Sequence, residues 1–311
     1  MNIIKKILNL KIFLKTILKL KNSKYLKHLN DLHEMYLNIN TSKKNIENLI
    51  LLKYKDLINK DDQKIIFKIN EFKLYSQNGE DGILLYIFSK IGFKNKFAVN
   101  IGCGGITSNI YNLTINFGFK SFEIDGNASS IEFCKSFIKQ YIIDYFNYVR
   151  FVHSWIDRDN INKLLKDNNV PGEVDLLSID IDGNDYWIWE AIDIINPRVI
   201  VIEYNASFGY EKLISVKYEP DFDRWKKHKS GWYHGASLRA FEFLGKKRGY
   251  SLICCDSNGV NAFFIRNDLI NTHFRKLNSK EAYYPHFQRI DKMSVEEQYK
   301  LIENMEYVEI E

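Results

Sequence analysis

Short, almost wholly apolar runs recur from residue 97 onward, each closing on a polar or glycine-rich segment and followed by a stretch with helical spacing. FAVNI at 97–101 runs into Gly102, Gly104 and Gly105, and 108–117 then reads as a helix. KSFEI at 120–124 precedes Asp125-Gly126 and a helix over 129–140. Residues 148–153 form a third expected strand before a helix near 160–167, and 174–181 a fourth before a helix over 186–195. VIVIE at 199–203 is the fifth. Strands that are apolar on both faces and alternate with helices predict a parallel sheet covered on both sides. The last elements differ: a helix over 237–248, then strands at 251–255 and 261–265 around the turn Asp256-Ser257-Asn258-Gly259, which predicts a hairpin. The fold class is therefore α/β: a doubly wound, Rossmann-like sheet, mostly parallel, with an antiparallel C-terminal hairpin.

Ahead of the sheet the pattern is helical and polar. Leu29, Leu32, Met35 and Tyr36 are followed by Ile46, Leu49, Ile50, Leu52 and Leu57. In the first 20 residues Ile3, Ile7, Leu10, Leu14 and Ile17 recur at helical spacing, with Lys5, Lys6, Lys11, Lys15 and Lys19 between them. This is a basic amphipathic helix, suited to an anionic membrane face or to packing on protein. It lacks the roughly 20 consecutive apolar residues of a membrane span and the apolar core and cleavage site of a signal peptide. The expected organisation is a helical region over 1–72, the sheet domain over 73–268 and a helical tail over 269–311, in a cytoplasmic chain whose first 20 residues either lie at the inner face of the membrane or pack on protein.

Charge and cysteines narrow the picture. The net charge of +5 is uneven: residues 1–30 hold eight lysines and no acid, and the last ten residues are acidic. The remainder is near neutral, which argues against a nucleic-acid surface. Cys103, Cys134, Cys254 and Cys255 have no CxxC spacing, as expected of a reduced chain.

In a doubly wound sheet, ligands bind beyond the carboxyl ends of the strands. The residues there are Asn100 to Gly105, then Asp125, Ser154-Trp155, Asp180 and Asp182, and Glu203-Tyr204-Asn205. Glycines after the first strand let backbone approach a bulky ligand, and Asp125, roughly 20 residues on, stands where an acid accepts hydrogen bonds from ribose hydroxyls. A dinucleotide would favour a third glycine, but that position is Thr107. A carboxylate-rich rim also suits the sulfonium of S-adenosylmethionine better than two phosphates.

The segments YSQNGEDGIL (75–84), VNIGCGGITSN (99–109), EIDGN (123–127), DLLSIDIDGNDYWIW (175–189), PRVIVIEYNASFG (197–209) and YHGASLRAFEFLGKKRGYSL (233–252) together resemble the FkbM-like methyltransferases, in particular a bacterial branch found with surface-glycan genes. The resemblance implies a class I methyltransferase fold and S-adenosylmethionine-dependent methylation of an oxygen, commonly on a sugar of a polysaccharide precursor. It implies that Asp125 holds the ribose, Trp155 flanks the adenine and Asp180 faces the methionine end, with Gly102 and Gly104 in the cofactor loop. The chain departs from the family where an acid is usual at the end of the first strand: here it is Asn100, whose amide oxygen can still bind the cofactor's ammonium but without the charge, and the glycine loop is one residue short. That departure supports a second reading, an inactive methyltransferase-fold scaffold in a glycan-assembly complex.

Methyl transfer to a hydroxyl requires alignment and a proton acceptor. His234, Asp182 or Glu203 is the candidate base. Alternatively Asp180, Asp182, Glu203 and Asn205 gather a divalent ion such as magnesium. The aromatic residues between 208 and 233 (Tyr210, Tyr218, Phe222, Trp225, Trp232 and Tyr233) either form a lid that stacks on a sugar ring or close the end of the core.

Overall fold

The computed structural model describes residues 62–105 and 107–311. The amphipathic reading of residues 1–20 and the helical reading up to residue 61 lie outside them. Chain order is α1 (Gln63–Asn70), α2 (Glu80–Ile91), β1 (Phe97–Ile101), α3 (Tyr111–Phe117), β2 (Lys120–Asp125), α4 (Ala128–Tyr141), β3 (Val149–His153), α5 (Ile161–Asp167), β4 (Glu173–Ile179), α6 (Asp185–Ala191) and β5 (Asn196–Glu203). There follow β6 (Ile214–Val216), α7 (Arg224–Lys227), α8 (Leu238–Lys247), β7 (Tyr250–Cys255), β8 (Asn261–Arg266), α9 (Ser279–Ala282), α10 (Phe287–Ile290), α11 (Val295–Lys300) and β9 (Tyr307–Glu309).

Seven strands form one sheet in the order β3-β2-β1-β4-β5-β8-β7. Strands β1 to β5 pair in parallel, whereas β8 is antiparallel to both β5 and β7. This is the expected doubly wound sheet with its antiparallel hairpin. The chain winds outward from β1 through β2 to β3, then crosses to β4 on the other side of β1. The crevice at that reversal lies beyond the carboxyl ends of β1 and β4.

Local chemistry sets the helix ends. The Asp62 carboxylate accepts from the backbone N–H groups of Lys64 and Ile65, Asn127 from Ser129 and Ser130, and Ser237 from Ala240. Each such cap contributes about 1 kcal/mol. Val199 to Ile202 of β5 are wholly buried, as a strand covered on both faces requires. Trp189 of α6 packs on Phe264 with ring centroids 5.0 Å apart and on Phe241 of α8 at 6.1 Å, which ties two helices to the sheet. Helix α6 ends at Ala191, short of the expected 195, because the apolar residues after it lead directly into β5 at Asn196.

Two expectations are corrected. The third strand, expected to be covered on both faces like the others, is the sheet edge: His153 at the end of β3 is exposed, its Nε2 3.1 Å from the Gly126 carbonyl. The segment 269–311 is not a purely helical tail. It holds three short helices and β9, which pairs antiparallel with β6, and its Leu277, Ala282 and Ile310 are buried in the main core. Among the described residues no helix is long and apolar enough to cross a membrane.

Candidate functional site

The glycine turn after β1 is shaped by the close approach of β4. Gly102 has φ +87°, and a Cβ there would lie 1.7 Å from the Asp180 carbonyl oxygen, so only glycine fits. Gly104 and Gly105 also have positive φ, but a Cβ on either would meet open space. Gly104 lines a cleft of about 580 Å³, bordered by Asp125, Asn127, Trp155 and Asp180. The Asp125 carboxylate accepts from Gly104 N–H at 3.1 Å and from Asn127 N–H at 2.7 Å, so one side chain fixes the glycine loop and the start of α4. Each of its oxygens retains a lone pair, which suits a ribose diol. Trp155 lies against Gly126, where a Cβ would come within 2.7 Å of the indole, and its ring N–H donates to the Pro220 carbonyl at 2.5 Å. The indole therefore forms a fixed wall, half exposed, as an adenine neighbour would be.

Asn100 is buried on β1 in register with Glu123 on β2. Its amide donates to Glu123 at 2.9 Å and to the Ser108 hydroxyl at 3.2 Å. Burial pushes the Glu123 carboxyl up to about 8, against the hydrogen bond from Asn100. The glycine loop also leans on a thiol pair: Cys134 of α4 approaches the Cys103 sulfur at 3.5 Å and donates to the Gly105 carbonyl at 3.2 Å.

A second cleft of about 530 Å³ shares Gly102, Gly104, Asp180 and Asp182 with the first. Its lining is mostly polar, with Gln77, Asn109, Ser178 and Gln288 around the carboxyl groups of Asp180 and Glu203. Those two carboxyls are close neighbours. Both pKa values are raised, first by desolvation and then by neighbouring acids, Asp182 and Asp185 for Asp180, and Asp180 and Asp182 for Glu203. The two form a carboxyl dyad in which ionisation of one disfavours ionisation of the other.

Asp182 projects beside the dyad from a backbone at φ +58°, which costs a non-glycine residue roughly 1–2 kcal/mol. Buried Asp185 holds that loop by accepting from the N–H groups of Ile181 and Gly183, both at 2.9 Å. The strain thereby presents the Asp182 carboxylate to the cleft, where it pairs with Arg224. His234 is fully buried, its Nδ1 3.7 Å from Glu203 Oε2, and neither atom has a hydrogen-bond partner. Burial, with Arg224 and Arg289 nearby, pushes its pKa well below the usual imidazole value. Among the described residues, Asp182, Glu203 and His234 offer ligand atoms within 4.8 Å of one another, a set that a divalent ion could join by distance alone.

The structure thus brings together Asn100, Gly102, Gly104, Asp125, Trp155, Asp180, Asp182, Glu203 and His234 at one rim. Asn205 does not join the acids. Its amide donates to the carbonyls of Trp232 and His234 at 2.7 and 2.8 Å, while its oxygen accepts from Ser207 N–H and from Arg289. With every polar atom engaged in the scaffold, it is corrected from metal ligand to loop anchor. The aromatic segment divides: Phe222 and Tyr233 are buried in a small core with Phe208 and Val216, and Trp225 is largely exposed. The second cleft is walled instead by Phe287, Gln288 and Arg289, from the segment read as a tail. No apolar period or motif marks these residues in the sequence.

No family model matches this chain, and no curated protein matches it in sequence. Solved structures are similar in part. The METTL16 MTase domain aligns at TM-score 0.37 and 12% identity over 59% of this chain and 65% of that one, so the match spans less than two thirds of its length. Precorrin-6y C5,15-methyltransferase from Geobacter metallireducens GS-15 aligns at 0.36 and 14% over 63% and 92%. A SAM dependent methyltransferase from Aquifex aeolicus aligns at 0.37 and 12% over 67% and 100%. Scores and identities this low say nothing of what this chain binds or does.

Proposed function

We propose that this chain is an S-adenosylmethionine-dependent O-methyltransferase whose acceptor is a hydroxyl of a sugar or sugar-containing precursor of a cell-surface glycan. One observation carries the reading: the cleft that ends at the ribose-type acid Asp125 and the polar cleft around Glu203 meet at Gly102, Gly104, Asp180 and Asp182. A donor in the first and an acceptor in the second would place their reacting atoms at that junction. The resemblance of the rim motifs to FkbM-like enzymes supports the same reading.

S-adenosylmethionine, when bound, supplies an electrophilic methyl group on a cationic sulfur for in-line displacement by the acceptor oxygen. The chain's part is to hold and to deprotonate. Asp125, Gly104 and Trp155 would bind the adenosyl end, and Asp180 would face the methionine end. Glu203, partnered by Asp180, takes the hydroxyl proton; burial raises its pKa, which brings a carboxylate nearer to a useful base strength. Amides and hydroxyls in the second cleft match a polyol, and the part-exposed ring of Phe287 offers a face for a pyranose. The reading includes a cytoplasmic enzyme held at the inner membrane face by residues 1–20.

Transfer of labelled methyl from S-adenosylmethionine to a panel of nucleotide sugars and lipid-linked sugars tests the proposal, with catechols as controls. Label in a sugar, reduced 10²- to 10⁴-fold by Glu203→Gln, is the expected result. Label only in catechols would overturn the acceptor class. Asn100, where the family has an acid, favours the scaffold as second reading; it predicts no transfer to any acceptor.

A further inference from the structure

Among the described residues, the cation in hydrogen-bonding contact with His234 comes from outside the rim. Arg289, on α10, is buried and has no carboxylate within ion-pair distance among the described residues. Its NH1 donates to Asn205 Oδ1 at 3.2 Å and to the Ser207 hydroxyl at 3.0 Å; that hydroxyl in turn donates to Gln298 at 2.8 Å. These contacts fix the plane of the guanidinium, and they aim its NH2 at His234 Nε2, 3.3 Å away. Trp232 lies under the same group, with the guanidinium carbon 5.7 Å from its ring centre. Asn205 also ties down the His234 carbonyl, so ring and guanidinium are held by one anchor.

A guanidinium has five N–H donors, no acceptor, and does not deprotonate. Its partner at His234 Nε2 must therefore be a lone pair, and a neutral imidazole with its lone pair at Nε2 carries the proton at Nδ1. The Nδ1–H then points toward Glu203 Oε2, and the two unpartnered atoms of the site become donor and acceptor for each other. Their 3.7 Å separation is the loose geometry that catalytic hydrogen bonds often show before substrate binds.

We propose that Arg289 is a positioning residue that locks His234 in the Nδ1–H tautomer, making the imidazole a hydrogen-bond donor to Glu203 and neither the base nor a metal ligand. A metal on Nδ1 would force an N–H at Nε2 against the N–H of Arg289, donor against donor. His234 therefore does not complete a metal site with Asp182 and Glu203, despite the short distances. The proton acceptor is left to Glu203, whose ionised form the Nδ1–H would stabilise. The tautomer is independent of the acceptor and of methyl transfer, whereas the role of Glu203 as base rests on the proposed function.

The test is ¹⁵N–¹H correlation spectroscopy of the imidazole nitrogens in the full-length chain near neutral pH, with His234 assigned by loss of its signals in His234→Gln. The expected wild-type pattern has Nε2 at the unprotonated, pyridine-type shift and Nδ1 at the protonated, pyrrole-type shift, with no selective broadening on addition of Mn²⁺. Arg289→Met should move His234 toward the other tautomer while the other imidazoles keep their shifts. An Nε2–H tautomer or a doubly protonated ring in the wild type would overturn the proposal, as would selective Mn²⁺ broadening at His234 or an unchanged tautomer in a folded Arg289→Met. If that variant does not fold, the wild-type spectrum and the Mn²⁺ titration decide alone.

Discussion

Asn100 and Glu123 face each other across β1 and β2 in strand register, joined by a 2.9 Å hydrogen bond from amide to carboxyl. The position where the family resemblance expects an acid is thus an amide, and the acid stands one strand over. Burial raises Glu123 from 4.5 to about 8, so the native state binds a proton that the unfolded chain releases. The stability this contributes is full below about pH 4.5 and is lost as pH rises toward about 8, by at most about 1.4 kcal/mol per unit.

Glu123→Gln keeps an oxygen for Asn100 and removes the titration. Urea unfolding of both proteins from about pH 5 to pH 8 should show the variant gaining on the wild type as pH rises. Parallel pH dependences would mean that Glu123 is not held protonated.

Asp125→Ala removes the acceptor for a ribose and the tie between Gly104 and Asn127. Affinity for S-adenosylhomocysteine should fall by roughly 1.5–3 kcal/mol, the scale of a charge-assisted hydrogen bond. Calorimetry on the variant measures it, and unchanged affinity would remove Asp125 from the binding site.

The loop glycines should separate by mutation. Gly102→Ala drives a Cβ into the Asp180 carbonyl and should prevent stable folding, whereas Gly104→Ala meets open space and should cost only roughly 1–2 kcal/mol for its left-handed backbone. Thermal melts of the two variants check this, and equal losses would contradict the close approach of β1 to β4.

The sheet was legible because its strands are apolar runs that end in polar residues, from FAVNI before Gly102 to VIVIE before Tyr204. The rim followed from the rule that ligands sit beyond strand carboxyl ends, which gathers Asp125, Asp180 and Glu203 without knowledge of side-chain contacts. What stayed hidden depends on packing between distant segments. Arg289 reaches His234 from 55 positions away, Asn205 spends its amide on loop carbonyls, and Cys134 meets Cys103 from α4, beyond the intervening α3 and β2. The edge position of β3, and hence the exposure of His153, likewise depends on strand order, which alternation of apolar and polar residues does not encode.

Calorimetric titration of the full-length protein with S-adenosylmethionine and S-adenosylhomocysteine, with NAD as control, reads out whether the cleft at Asp125 takes the adenosyl cofactor. Micromolar binding of the first two and none of NAD is the predicted result. No binding of either adenosyl compound, or tighter binding of NAD, would contradict it.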